Sequence, residues 1–495
     1  MQELPRKFLI AVLCCIPALA HASTFYVDSA SGNDANSGTS PTLAWSSLAP
    51  VNQHTFMPGD HILLHAGQSW SGAIEAHGNG TTENPITLGS YGEGAKPLIQ
   101  GQGVSAVLTL RDVSGWTVED ISITNHGDSQ DPRLGILIET SKYAFALHLV
   151  RVDIRDVNGQ LSKEAGGIGI IPDGHGHPAH FDDILIDHCI IRHMAGMGIF
   201  LHVLDRDNHA YLNTHVRLTG NTIVDIGKNA IFLRGTTDGL IDHNKVRFAA
   251  AHEHGNAICV GWSKHTTVSY NEVSETGLHT GPFDGGAVDV DDGSISTVVE
   301  YNWSHDNVAG FGVGSQPNDN CDAIGTIIRY NLSENDSVRV FSVHGHDRST
   351  AIYNNTAFIG QGHSPAPVHT GRYKQNPELP DTILFARNVF FNEGDLTFDW
   401  KAKNIMTDGN CYFGNAPKSP LEDKHIVRDQ TMNISGAPIR HRDEAGVYSL
   451  PAGSACGAML PALPNENGTD FLGTPLSNAT PGIRGAIVSA ATTNR

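Results

Sequence analysis

Seven short runs in the middle of the chain can be laid over one another: GILIET (135–140), GIGIIP (167–172), GIFLHV (198–203), AIFLRG (230–235), AICVGW (257–262), AVDVDD (287–292) and GFGVGS (310–315). Each begins on a small residue, and each is apolar at its second and fourth positions: Ile136/Ile138, Ile168/Ile170, Ile199/Leu201, Ile231/Leu233, Ile258/Val260, Val288/Val290 and Phe311/Val313. Alternation with a period of two predicts strands with that face buried. A second phrase runs alongside the first: an apolar residue, two residues, Asn, then a β-rich run. It recurs at Asn221, Asn244, Asn271, Asn302, Asn331, Asn355, Asn388 and Asn410, with intervals of 23, 27, 31, 29, 24, 33 and 22 residues. Weaker copies, WTVEDISI, LVRVDIRD and ILIDHCII, come earlier.

A repeat of this length signals stacked units, and its unevenness places insertions in loops between fixed strands. No helical period is sustained. A short coil cannot bury its apolar side alone and needs neighbours above and below. The expected class is therefore all-β, a single solenoid of parallel coils. An Asn turned inward at each bend would hydrogen-bond the Asn or backbone of the next coil. The sequons Asn302-Trp-Ser and Asn331-Leu-Ser would then be buried and closed to a glycan.

Four regions follow: residues 1–22, 23–107, 108–415 and 416–495. The first is expected to be a cleaved export signal: Arg6 and Lys7, a short apolar run, then Ala20-His21-Ala22. It is too short to span a membrane, and secretion or a periplasmic location follows. The second predicts a first strand, a Gly/Asn/Asp loop, an amphipathic helix around Trp45–His54, a turn at Pro58-Gly59-Asp60 and a strand at Ile62–His65. That helix would cap the open end of the stack. Asp28, Asn33, Asp34 and Asn36 read as a hydrogen-bonded capping loop, with Ca²⁺ binding as the other reading. In the last region the pattern fades, and the segment is expected to pack along the coils or close their end.

Charge and cysteine narrow the partners. The chain carries 32 Lys+Arg against 52 Asp+Glu, a net −20. That argues against nucleic acid or an anionic membrane as partner. Five cysteines remain after residue 22, an odd and sparse set rather than a disulfide framework, with Cys411 and Cys456 a candidate bridge.

With these features in place, the chain resembles the right-handed parallel β-helix proteins of the pectate-lyase-like superfamily, in their secreted, carbohydrate-active form. The likeness covers nearly all of the chain after residue 22. It is carried by the repeats, the opening FYVDSASGNDANSGTSPTLAWSSLAP, the phrase YNWSHDN (301–307) and the closing DFLGTPLSNATPGIRGA. The resemblance implies a polysaccharide or oligosaccharide partner. It identifies a scaffold, not a reaction.

Candidate chemistry comes from the outward positions of the overlay. The third position reads Leu137, Gly169, Phe200, Phe232, Cys259, Asp289, Gly312; the fifth reads Glu139, Ile171, His202, Arg234, Gly261, Asp291, Gly314. Coils stack about 4.8 Å apart, so Arg234 and Asp291 lie roughly 10 Å apart at the backbone, with Gly261 leaving room between them. Asp289 and Asp291, with Arg234 and His202 to orient or tune them, are expected to be catalytic. Phe200, Phe232, Trp262 and Asp292 are expected to bind substrate. A carboxylate pair suits a glycoside hydrolase, which needs an acid and a nucleophile or base and no cofactor. Two other readings stay open. In a polysaccharide lyase, Asp284, Asp289 and Asp291 would hold Ca²⁺ while Arg234 or Lys264 takes the proton. In a binding or adhesin-like protein, the acids would form a solvated or Ca²⁺-filled face. DGHGHP (173–178) contains a Gly-His-Gly found in polygalacturonases, but it precedes the acids and lacks the matching Asn-Thr-Asp, so that reading is rejected. His175, His177, His180, His344 and His346 read as solvated or ladder residues. The chain is expected to work as a monomer.

Overall fold

A computed structural model describes residues 22–173, 178–202, 211–279, 284–315, 322–372, 378–415, 423, 425–429, 439–450, 454–457, 468–476 and 484–487. The export-signal reading and His175 and His177 lie outside them. Three parallel sheets of 17, 11 and 14 strands run the length of the stack. Among the described residues the one antiparallel pairing is Gly468–Thr469 with Pro475–Leu476. The chain is a parallel β-helix.

One coil shows the plan. Leu240–Asp242 lies in the first sheet, Lys245–Arg247 in the third and Ile258–Gly261 in the second. The next coil repeats it with Thr267–Ser269, Glu272–Ser274 and Gly286–Val290. The register of the second sheet is the one expected: Ile136 pairs with Ile168, Ile168 with Ile199, Ile199 with Ile231, Ile231 with Ile258, Ile258 with Val288 and Val288 with Phe311. These residues are at most 2% exposed and belong to one continuous core. Each stacked aliphatic side chain stabilises the stack by roughly 1.5–3 kcal/mol.

The corner between the first and third sheets is built from two residues. The first turns the chain and adopts a left-handed conformation: His243, Tyr270, Tyr301, Tyr330, Asn354 and Arg387 have φ between 53° and 57°. That conformation costs energy for a residue with a Cβ. The second is the ladder Asn, which offsets the cost. Asn271 donates from Nδ2 to the Ile241 carbonyl and to Asn302 Oδ1, while its own Oδ1 accepts from the backbone N–H and Nδ2 of Asn244. The same links join Asn221 through to Asn410. Asp423 then accepts from the last amide, closing the ladder. Asn302 and Asn331 are 1% and 0% exposed, so neither sequon is open to a glycan.

The N-terminal helix is shorter than expected, Ala49–Gln53. Trp45 cannot join it, because its backbone pairs with Tyr26 and Asp28 in extended form. Asp34 holds Ser46 and Ser47 out of the helix by accepting from both backbones and both hydroxyls. Asp28 is likewise occupied by Ala30, Ser31 and Gln68, as the hydrogen-bonded loop reading requires. At the other end, the tail packs along the third sheet, where Tyr448, Phe471 and Ile487 cover Trp303, Phe358 and Phe391. Glu334 clamps it, accepting from Trp303 Nε1 at 2.7 Å, the Ile439 N–H at 3.0 Å and the Tyr448 hydroxyl. Cys411 and Cys456 are disulfide-bonded, while Cys189 and Cys259 are buried free thiols.

Replacing a mid-ladder asparagine tests this scheme. Asn271→Ala removes four hydrogen bonds and leaves the buried Asn244 N–H without its partner. Urea unfolding is expected to show a loss of about 3 kcal/mol; a loss below about 0.5 kcal/mol would show that the ladder does not hold the stack.

Candidate active site

Outward side chains of the second sheet form a cavity of about 250 Å³. Val288 and Val290 face the core from the strand Gly286–Val290, so Asp289 points the other way. The strand ends at Val290, and Asp291 follows with its N–H still bonded to the Val260 carbonyl. Around these two acids, Arg234, Asp284, Arg339 and His344 reach the cavity. Glycines make the room. A Cβ at Gly312 would lie 2.8 Å from Asp289 Oδ1, while one at Gly314 would meet nothing within 4 Å.

The two acids have different surroundings. Arg234 reaches across Gly261 and donates from Nη2 to Asp291 Oδ2 at 3.0 Å. Its guanidinium lies 4.2 Å over the Phe232 ring. Among the described residues Asp289 has no such ion pair. Its Oδ2 accepts from Asn256 Nδ2 at 2.9 Å, and the Gly286 N–H fixes that amide by donating to Asn256 Oδ1 at 2.8 Å. Burial, followed by the negative charges of Asp291 and Asp284, holds the Asp289 carboxyl well above the usual carboxylate range, and Arg339 offsets only part of this. The protonated form of Asp289 is thereby favoured, while Asp291 keeps its ion pair with Arg234. Burial also lowers His344 to about 3, leaving it neutral near pH 7.

Of the expected site residues, Arg234, Asp289 and Asp291 converge, and Asp284 and Phe232 reach the wall. Four others do not line the cavity. His202 Nε2 meets the Lys163 carbonyl at 3.1 Å and its ring packs on Phe200. Phe200 is 0% exposed, pressed into the space left by Gly169. Trp262 turns left-handed at the strand end and is buried beneath Gly293. Asp292 is also buried, and its carbonyl accepts from the Trp262 N–H. The cause is shared: outward from the barrel core is not the same as exposed. Phe200, Phe232 and Cys259 form a small apolar cluster of their own with Met197 and Leu134. Phe232 supports Arg234 rather than offering a bare face.

Among the described residues, no group of three His, Cys, Asp or Glu side chains is arranged to hold a metal ion, so the expected Asp284, Asp289 and Asp291 set is not assembled. Arg234 and Asn256 already occupy Asp291 and Asp289. Lys264 does not line the cavity; it bridges Thr237 and Ile295 in the first sheet. His180 is partly buried against Tyr143, and His346 meets Asp322. Asn256, Arg339 and Ser342 were not anticipated, and His344, expected to be a solvated or ladder residue, stands at the cavity wall instead. Extending the overlay by one coil to RVFSVHG (339–345) would have found the last two, since Ser342 pairs with Gly312 and His344 with Gly314.

Comparison with known proteins agrees with this architecture. The family model "Right handed beta helix region" matches residues 166–357. A lacto-N-biosidase of Bifidobacterium longum subsp. longum is 27% identical over 84% of this chain and 32% of its own length. The chain thus spans about a third of that relative. A solved GH136 lacto-N-biosidase from Eubacterium ramulus superimposes with a TM-score of 0.63 at 22% identity, covering 77% of this chain and 68% of that one. A mannuronic acid specific polysaccharide family 6 lyase from human gut microbiota does so with a TM-score of 0.52 at 16% identity, covering 77% and 88%. Among the described residues no helix is long and apolar enough to cross a membrane. In its register, its asparagine corner and these likenesses, the chain has the fold of a right-handed parallel β-helix.

Proposed function

We propose that this protein is a secreted glycoside hydrolase that cleaves oligosaccharide or polysaccharide in the Asp289–Asp291 cavity. The observation that carries the reading is the unequal pair at one strand's end: Asp289 pushed up by burial and like charge, Asp291 ion-paired to Arg234. A glycosidase needs that division. Asp289 donates its proton to the leaving glycosidic oxygen as the carbon–oxygen bond breaks. Asp291, held by Arg234, attacks the anomeric carbon or takes a proton from the water that does. Asn256 fixes the Asp289 carboxyl in position. The lacto-N-biosidase relative supports a hydrolase over a lyase and makes lacto-N-biose-containing oligosaccharides the first substrates to try.

A screen over neutral and acidic glycans, scored for both reducing ends and unsaturated sugars, tests this. New reducing ends without unsaturation are expected. Unsaturated products that vanish on chelation would instead establish a Ca²⁺-dependent lyase, and glycan binding with no cleavage would establish a binding protein.

Asp289→Asn and Asp291→Asn are each expected to cut turnover by at least about 10²-fold while the protein stays folded by circular dichroism. Unchanged turnover in the double variant would remove this assignment. A loss of the same size in Asp284→Asn with either partner silent would pass that partner's role to Asp284, which shares the cavity.

The pH profile supplies a signed prediction. Asp289 acts protonated, so activity falls as pH rises through its raised pKa. Arg339 pulls that pKa down. Arg339→Met is therefore expected to move the basic limb of kcat to higher pH. A limb that stays in place or moves lower would contradict the role given to Asp289.

A further inference from the structure

The cavity's charge differs in sign from the chain that carries it. The protein is strongly acidic, at −20. The cavity is lined by three cations, Lys163, Arg234 and Arg339, against Asp284, Asp289 and Asp291. With burial and like charge holding Asp289 towards its neutral form, three positive charges face two negative ones.

The excess sits at one end. Lys163 Nζ lies 5.5 Å and the Arg234 guanidinium 4.2 Å from the centroid of the same Phe232 ring. Two cations on one ring repel each other, yet only Arg234 has an acid partner, Asp291. Among the described residues Lys163 forms no ion pair, and the neighbouring Glu164 does not reach it. Arg234 is 9% exposed and already held by Asp291. An anionic group at this end would neutralise Lys163 and remove the repulsion between the two cations. A neutral sugar would do neither.

We propose that Lys163, beside the Arg234 guanidinium on the cavity wall, forms a subsite for an anionic substituent of the sugar, a carboxylate or a sulfate ester, so that the substrate is an acidic glycan. This rests on the hydrolase reading for its chemistry but not for its binding. Lys163 sits on the rim, from where its flexible ammonium can follow a charged group into the cavity. The Arg234 fork is held rigid by Asp291 and Phe232. Together they would select for charge without a metal.

The test uses the full chain and matched oligosaccharides of one backbone: neutral, carrying a uronic carboxylate, and carrying a sulfate. Wild type is expected to favour one charged form over the neutral one by about tenfold or more in kcat/KM, the size of one good ion pair. The two charged arms identify the group. Lys163→Met is expected to erase most of that ratio, and Lys163→Arg to restore it. Equal kcat/KM for all three, or a ratio unmoved by Lys163→Met, would overturn the subsite and leave the hydrolase standing. Binding of the same three glycans to Asp289→Asn, measured by calorimetry, separates the other failure. A salt-sensitive preference for a charged form, with no cleavage by wild type, would keep the subsite and remove the hydrolase.

Discussion

Everything in this molecule depends on the vertical alignment of its coils, and the buried asparagine at each corner sets that alignment. The corner residue before it adopts a left-handed conformation, which alone would be unfavourable. The Asn side chain then satisfies a carbonyl and a backbone N–H of the preceding coil together. A slip of one residue would break both links and turn the aliphatic face outward. A single side chain thus fixes position along the coil, and the same fixing, passed from Asn221 to Asn410, sets the register of the second sheet. A further column, Asn307 on Asp336, does the same at another corner: Asp336 accepts from Ser304 and Ser333 as well as from Asn307.

The site borrows this precision. Arg234 and Asp291 come from coils two apart, and they meet only because Gly261 lies between them with no side chain in the way. Asp289 faces a gap because the next coil supplies Gly312. The acids therefore need no loop to place them; the spacing of the stack does so. The same rigidity sustains the electrostatic cost of holding three carboxylates around one small space. Ion pairing relieves one of them, and burial with like charge pushes another towards its neutral form. A surface cluster of solvated aspartates would show neither.

Much of this was legible in the sequence. Val288 and Val290 match the apolar pairs of six other runs, and the recurring Asn marks the corner without ambiguity. Period-two alternation then puts Asp289 outward, and the overlay puts Arg234 within reach of Asp291. What the pattern could not convey is what covers an outward side chain. Phe200 and Trp262 occupy outward or strand-end positions and are nonetheless buried, because neighbouring loops, glycine gaps and a left-handed turn lie outside any strand periodicity. Asn256 and Lys163 precede their strands, in segments of variable length where the overlay has no register. The N-terminal helix was overestimated for a related reason: long-range backbone pairing claimed Trp45, and Asp34 claimed Ser46 and Ser47.

The central claim is that the outward carboxylates of one coil are the reacting groups on a glycan. A crystal structure of the Asp291→Asn protein with a bound oligosaccharide tests it most directly. The account predicts the scissile glycosidic oxygen within about 3 Å of an Asp289 carboxyl oxygen, with the anomeric carbon facing residue 291. A glycan bound along another face of the stack, or seated in this cavity with no glycosidic oxygen near Asp289, would contradict it.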